Sequence, residues 1–179
     1  LFTMMEYMMS EKYIIALDLG TTGNRVFCFN ELGVPVASSY KEFEQIFPEP
    51  GWVEHDPLVI WNSVLSLIKE TIDKAHIKSE NIISIGITNQ RETALLWNKE
   101  TGTPIHNAIV WQCRRTRNIC ESLKEEGHEK LFREKTGLVV DAYFSGTKIK
   151  WLIDTIPGVK EAIASGKILF GTIDTWILW

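Results

Sequence analysis

The spacing of apolar residues along the chain changes several times, and each change marks a predicted element. Tyr13-Ile14-Ile15-Ala16-Leu17-Asp18-Leu19 is a nearly continuous apolar run, the pattern of a strand buried on both faces. A second strand is predicted over about 24–30, a turn at Asn30-Glu31-Leu32-Gly33 and a third strand near 35–43, giving three consecutive antiparallel strands. In the stretch that follows, Asp56 reads as a helix N-cap with Pro57 at the first helical position. Trp61, Val64, Leu65, Ile68 and Ile72 then recur at helical spacing, which predicts a helix to about Ala75 with that stripe laid on the sheet. Ile82-Ile83-Ser84-Ile85-Gly86-Ile87-Thr88 sets isoleucines against small residues, as in an inner strand covered closely by a helix. Ala94–Trp97 and Ala108–Trp111 read as a hairpin around Lys99-Glu100-Thr101-Gly102. Farther on, Ser145 reads as the N-cap of an amphipathic helix carrying Ile149, Trp151, Leu152 and Ile153. The order predicts an α/β fold of three antiparallel strands followed by alternating helices and strands in a mixed sheet. No repeat or low-complexity linker interrupts it, so the chain reads as one folded unit.

Size and charge narrow the function. A chain of 179 residues holds one good core rather than two large lobes. With Lys+Arg 19 against Asp+Glu 23, a net charge of -4 argues against nucleic acid as the main partner and favours a small molecule. Cys28, Cys113 and Cys120 lack C-x-x-C spacing and the four histidines stand at no metal-ligand interval, which fits a reducing, cytoplasmic setting without structural zinc. No apolar run reaches the length of a membrane span. Residues 1–8, which with Met9 hold every methionine, read as a leader or cloning scar, and the apolar run Thr172–Trp179 reads as an element cut midway.

Two polar clusters carry candidate chemistry. Between the first two strands, Asp18, Gly20, Thr21, Thr22 and Gly23 form either a phosphate cradle beside a metal-side acid or an ordinary hairpin turn. In the first case the glycines bring backbone N–H groups close to an anion, the threonines donate hydroxyl hydrogen bonds and Asp18 holds a hydrated Mg²⁺. No Gly-Lys-Ser/Thr follows, so this is not a Walker loop. At the end of the 82–88 strand, Arg91 and Glu92 fall where open sheets gather small ligands, or else form a solvated ion pair. The arginines of Gln112-Cys113-Arg114-Arg115-Thr116-Arg117 read as a solvated helix face.

Six blocks in order resemble the glycerol kinases: Asp18-Leu19-Gly20-Thr21-Thr22 with Arg25, Gly51–Pro57, Gly86–Thr93, Ala108–Thr116, Tyr143–Trp151 and Leu169–Trp176. The last two are shared with the wider carbohydrate kinases, whereas Asn89-Gln90-Arg91-Glu92 and Trp111-Gln112-Cys113-Arg114-Arg115 are more particular to the glycerol enzymes. The resemblance implies a ribonuclease-H-like lobe of the actin-like ATPase type. Residues 9–179 would be the first of two lobes, ending before the second and before the family's catalytic aspartate, so that this chain alone would be inactive. It further implies ATP and Mg²⁺ as cofactors, glycerol as substrate, and a homo-oligomer at full length. Thr21, Thr22, Gly23 and Arg25 would meet the nucleotide phosphates, and Asp18 would organise the metal. Arg91, Glu92 and Tyr143 would bond the glycerol hydroxyls, with Trp111 walling the carbon skeleton. Leu19 stands where many of these enzymes have Gln, and Gly23 and Asn24 where they have Ser, so only backbone contacts can carry over at the latter two. A kinase for another polyol or sugar, and a non-catalytic nucleotide-binding module, are the competing readings.

Overall fold

The computed structural model describes residues 11–179, and the expected leader at 1–8 lies outside them. In chain order the elements begin with β1 (Tyr13–Leu19), β2 (Gly23–Asn30), β3 (Pro35–Glu42), β4 (Glu54–His55) and α1 (Pro57–Ala75). After a 3-10 turn at Ser79–Asn81 come β5 (Ile82–Asn89), β6 (Ala94–Asn98), β7 (Ala108–Ile109), α2 (Arg117–Glu125) and α3 (Glu129–Thr136). The chain continues through α4 (Ser145–Thr155), α5 (Val159–Ala164), β8 (Ile168–Thr172) and α6 (Ile173–Leu178). These residues divide into two compact units, one of 11–42 with Asn62–Thr88 and the other of Phe43–Trp61 with Asn89–Trp179.

The first unit carries a sheet in the order β3-β2-β1-β5, with β1, β2 and β3 antiparallel as expected. Side chains alternate between sheet faces, and β1 obeys that alternation despite its apolar run. Tyr13, Ile15, Leu17 and Leu19 are buried, but Ile14 is 41% exposed, so the strand is not buried on both faces. On α1 the inward residues of this unit are Ser63, Val64, Leu67 and Thr71, while Leu65 is 48% exposed. The stripe runs at steps of three and four from Ile60 rather than from Trp61. One residue turns a helix by about 100°, enough to move Leu65 off the packed face. Hydrogen bonds lay this helix on the sheet: Asn24 Nδ2 donates to Ser63 Oγ at 3.3 Å, and Lys74 Nζ to the Ser38 carbonyl at 3.3 Å. β5 is the last strand of this sheet among the described residues, and Ile83 and Ile85 are exposed on it, since periodicity marks an apolar face without saying what covers it.

The second unit has a sheet in the order β4-β7-β6-β8, with its neighbours paired antiparallel. The expected hairpin is present through Ala94↔Ile109, yet β6 pairs mainly with the distant β8, from Ala94↔Thr172 to Asn98↔Ile168. That central placement buries Ala94, Leu95, Leu96 and Trp97 together. Leu96, Ile109, Cys113, Leu152 and Val159 form the core between sheet and helices. Asp56 is the N-cap expected for α1, its Oδ1 accepting the Leu58 N–H at 2.8 Å.

Arg115 departs from the expected solvated face. Its side chain is fully inaccessible, donates to Glu54 Oε1 at 2.6 Å, and lies 4.0 Å and 4.7 Å from the ring centroids of Trp52 and Trp151. Arg117 does sit at the surface, paired with Glu121 one helical turn on. His55 is also wholly buried and 2.6 Å from Gln45 Oε1, and burial pushes its imidazole down to about 4.

Arg115→Ala, which strands Glu54 without its cation, is expected to lower unfolding free energy by about 3–5 kcal/mol, whereas Arg117→Ala shifts it by less than about 0.5 kcal/mol. Urea titration of the two variants checks the contrast. Between an ordinary imidazole value of 6.5 and about 4, the unfolded chain binds a proton at position 55 that the folded chain refuses. Stability is therefore complete above that window and falls as pH drops through it, by roughly 3 kcal/mol. His55→Gln should shrink the difference in urea stability between pH 7 and pH 4 by that amount.

Candidate functional site

In the first unit β1 ends at Leu19 and β2 resumes at Gly23, so Gly20, Thr21 and Thr22 form a tight connection. The two glycines serve close approach: neither adopts a left-handed conformation. A Cβ on Gly20 would lie 2.9 Å from the Gly23 carbonyl oxygen, and one on Gly23 would lie 2.6 Å from the Lys41 carbonyl oxygen. Asp18 and Arg25 are opposite in the β1–β2 register, and Arg25 is opposite Tyr40 in the β2–β3 register. An acid, a cation and a phenol thus form a row across three strands beside the turn. The Arg25 guanidinium rests 5.0 Å from the Tyr40 ring centroid and 5.8 Å from that of Phe27. Asp18, Thr22 and Arg25 are exposed, and Thr21 is half-buried. One exposed carboxylate beside two hydroxyls is a hard oxygen donor set, which suits an Mg²⁺ ion that keeps most of its waters and shares phosphate oxygens. The space a Cβ would fill at either glycine is taken by the chain's own backbone and, at Gly23, by the Tyr40 side chain, so both glycines are required for the turn to pack as it does.

The second unit holds Arg91, Glu92, Trp111 and Tyr143. Arg91 and Glu92 lie in the turn between β5 and β6, with Arg91 exposed and Glu92 half-buried. Glu92 has φ of 66°, a left-handed conformation costly for a residue with a Cβ. That backbone brings its carboxylate to the start of α4, where Oε2 accepts the Ser145 N–H at 2.9 Å and the Ser145 hydroxyl at 2.7 Å. The anion meets the positive end of the helix dipole and satisfies one of its unpaired N–H groups. Ser145 is therefore the first residue of α4 and not its N-cap, since its hydroxyl is turned toward Glu92.

Trp111 and Tyr143 form an aromatic pair with ring centroids 5.7 Å apart at 63°. The Trp111 backbone N–H donates to Thr93 Oγ1 at 3.3 Å, and the Thr93 hydroxyl donates to Gln90 Oε1 at 3.0 Å, tying the backbone of residue 111 to the turn that carries Arg91 and Glu92. The Tyr143 N–H donates to Asp141 Oδ1 at 2.8 Å. Arg114 holds both oxygens of Asp141, at 2.8 Å and 3.2 Å, and that guanidinium keeps the carboxyl below its usual range. Glu92, Trp111 and Tyr143 are thus joined through Thr93, Ser145 and the 141–145 backbone. Asp18, Thr21, Thr22, Gly23 and Arg25, the residues expected on the nucleotide side, belong to the other unit.

Sequence reasoning missed Ser145, Asp141, Arg114 and Lys148 as supports of this cluster. Only Lys148 carried a signal, as a lysine flanked by the apolar positions of an amphipathic helix. The structure also holds a cavity of about 470 Å³ bordered by Glu92, Phe132, Leu138, Phe144 and Ser145. Arg91, Trp111 and Tyr143 do not line it.

The chain matches the FGGY family of carbohydrate kinases, N-terminal domain, over residues 13–179. It is 57% identical over 168 residues to glycerol kinase 2 of Thermotoga maritima and 59% identical over 168 residues to the glycerol kinase of Caldanaerobacter subterraneus subsp. tengcongensis. Each match covers 94% of this chain and 34% of the relative, so the chain spans about a third of their length. The crystal structure of Plasmodium falciparum glycerol kinase with ADP matches with a TM-score of 0.87 at 35% identity, over 94% of this chain and 34% of that one. The actin-like ATPase fold expected from the sequence is the fold these kinases share with it.

Because the Glu92 carboxylate is the acceptor at the start of α4, Glu92→Ala is expected to cost about 1–2 kcal/mol of stability, and Glu92→Gln, which keeps an oxygen acceptor, about half as much. Thermal unfolding of the pair distinguishes this support from a contact made only to a ligand, which would leave both melting temperatures unchanged.

Proposed function

This chain belongs to the FGGY family of carbohydrate kinases, and on that premise we propose that it forms the N-terminal part of a glycerol kinase, which transfers the terminal phosphoryl group of ATP to glycerol to give sn-glycerol 3-phosphate. The observation that carries the substrate is the held carboxylate of Glu92 beside the aromatic pair of Trp111 and Tyr143. A triol offers little apolar area, so a site selects it by donors and acceptors that lose their partners when a hydroxyl is missing. Arg91 donates to glycerol oxygens, Glu92 accepts from its hydroxyls, Tyr143 completes the set and Trp111 packs on the carbon skeleton. Identity of 55–59% to several glycerol kinases supports the same assignment.

Phosphoryl transfer relies on in-line positioning and charge neutralisation more than on covalent help from the protein. On this reading the 20–23 turn receives the ATP phosphates through backbone N–H groups and the hydroxyls of Thr21 and Thr22. Arg25 draws a phosphate oxygen toward the row it forms with Asp18 and Tyr40. Asp18 would hold Mg²⁺, which when bound would neutralise charge on the phosphoryl oxygens. The proton of the attacking hydroxyl passes to a carboxylate outside this chain. A reducing cytoplasm suits the protein, whose three cysteines are all buried and unpaired. Among the described residues no helix is long and apolar enough to cross a membrane.

Carried at the full length of its relatives, the protein is expected to phosphorylate glycerol in preference to pentuloses and sugar acids when ATP consumption is followed across that panel. Preference for another acceptor removes the glycerol assignment. In the same assay Arg91→Ala should raise the glycerol KM by about 10-fold or more, the worth of a lost charge-assisted hydrogen bond, while leaving the ATP KM alone. Thr21→Ala should do the reverse.

A further inference from the structure

Lys148 has no part in the chemistry described above, yet it is among the most deeply buried side chains of the chain, at 0% exposure. Side chains on a helix lean toward its N-terminus, so a lysine in the first turn of α4 reaches back over the segment that leads into the helix. There Nζ donates to the carbonyl oxygens of Ala142 at 2.8 Å, Tyr143, and Phe144 at 3.2 Å. An ammonium has three N–H donors and no acceptor, and these three carbonyls use all of them. The placement works against two costs, since a cation is removed from water and set near the positive end of a helix dipole. An alternative is simple: an apolar residue of similar length would fill the volume without either cost. What the ammonium does that an apolar chain cannot is turn three successive carbonyls inward. With the Tyr143 carbonyl held on Nζ and its N–H held on Asp141, the backbone of residue 143 is fixed on both sides, and its ring is left to pack on Trp111.

We propose that Lys148 is a positioning residue for the polyol site: its buried ammonium gathers the 142–144 carbonyls and so sets the Tyr143 ring against Trp111 without touching substrate. The inference rests on the assignment of Arg91, Glu92, Trp111 and Tyr143 as that site. The charge is needed because a neutral amine has only two N–H donors and a lone pair that faces the carbonyls. Burial pushes the Lys148 ammonium down to about 8 from an ordinary 10.5, with the Glu92 carboxylate, Cys113, Asp141 and Cys120 acting in the opposite direction. Asp141 is itself paired with Arg114. Raising the pH through 8 therefore discharges the amine and releases one carbonyl.

The test uses the full-length protein, with glycerol and ATP kinetics from pH 7 to pH 9.5 for wild type and for Lys148→Met. Wild type is expected to hold a constant glycerol KM near pH 7 and to lose affinity several-fold above pH 8, with the ATP KM within twofold throughout. At pH 7, K148M should raise the glycerol KM at least tenfold, leave the ATP KM within twofold, and abolish the alkaline rise. A folded K148M with an unchanged glycerol KM overturns the proposal. Equal losses for both substrates in K148M also overturn it, because a merely structural lysine would give them. If Met at this site prevents folding, Lys148→Gln carries the same comparison. Wild type that shows no saturable use of glycerol defeats the functional assignment itself, an outcome distinct from glycerol use that ignores Lys148.

Discussion

A guanidinium with no water around it organises the second unit. Arg115 is clasped by the carboxylate of Glu54 on β4 and lies against the edge-to-face pair of Trp52 and Trp151, while its Nε–H points to the sulfur of Cys113 at 3.1 Å. Glu54 is held in turn by Asn107 through its second oxygen at 2.9 Å. This knot joins a strand, the segment that follows β7 and helix α4, which are the parts that carry Trp111 and present the helix start to Glu92. A buried ion pair of this kind is weak evidence for net stability, because desolvation offsets most of its attraction. Its value is geometric: with both charges committed, the segment from Val110 to Thr116 has few alternatives, and the indole of Trp111 inherits that fixity.

The start of α4 shows the same economy with opposite charges. Glu92 approaches from a strained turn and meets the first N–H of the helix, while Lys148 rises from within the first turn to hold the carbonyls just before it. The carboxylate favours the ammonium, and the helix dipole favours the carboxylate. Residues 141–145 are held through side chains on three segments, although the stretch itself has no regular structure before Ser145. A loop so bound can present a tyrosine with the accuracy usually reserved for a strand or a helix.

Much of this was legible beforehand, and for identifiable reasons. The hairpin at 13–30, the Asp56 cap and the turn at Asn98 to Gly102 are local structures, set by residues a few positions apart. The candidate site residues were legible only because their blocks resemble the glycerol kinases. Composition alone left the 18–23 turn and the Arg91-Glu92 pair open to plainer readings. What stayed hidden depends on contacts between distant residues. Nothing near Arg115 announces that Glu54, 61 positions away, will neutralise it, and nothing in the apolar run of β1 reveals that only alternate residues will be covered. The one-residue error in the α1 stripe has the same origin, since Trp61 and Ile60 are both apolar and only packing chooses between them.

β5 closes the first sheet with Ile83 and Ile85 facing outward, and beyond it no strand is ordered next in that sheet among the described residues. A row of backbone donors and acceptors flanked by isoleucine, with no proline or lysine among Ile82–Asn89, is a template for another strand. Handled by itself at high concentration, this stretch is where insoluble fibrous material would nucleate. The purity and age of a preparation would then govern its behaviour as much as its folding free energy does.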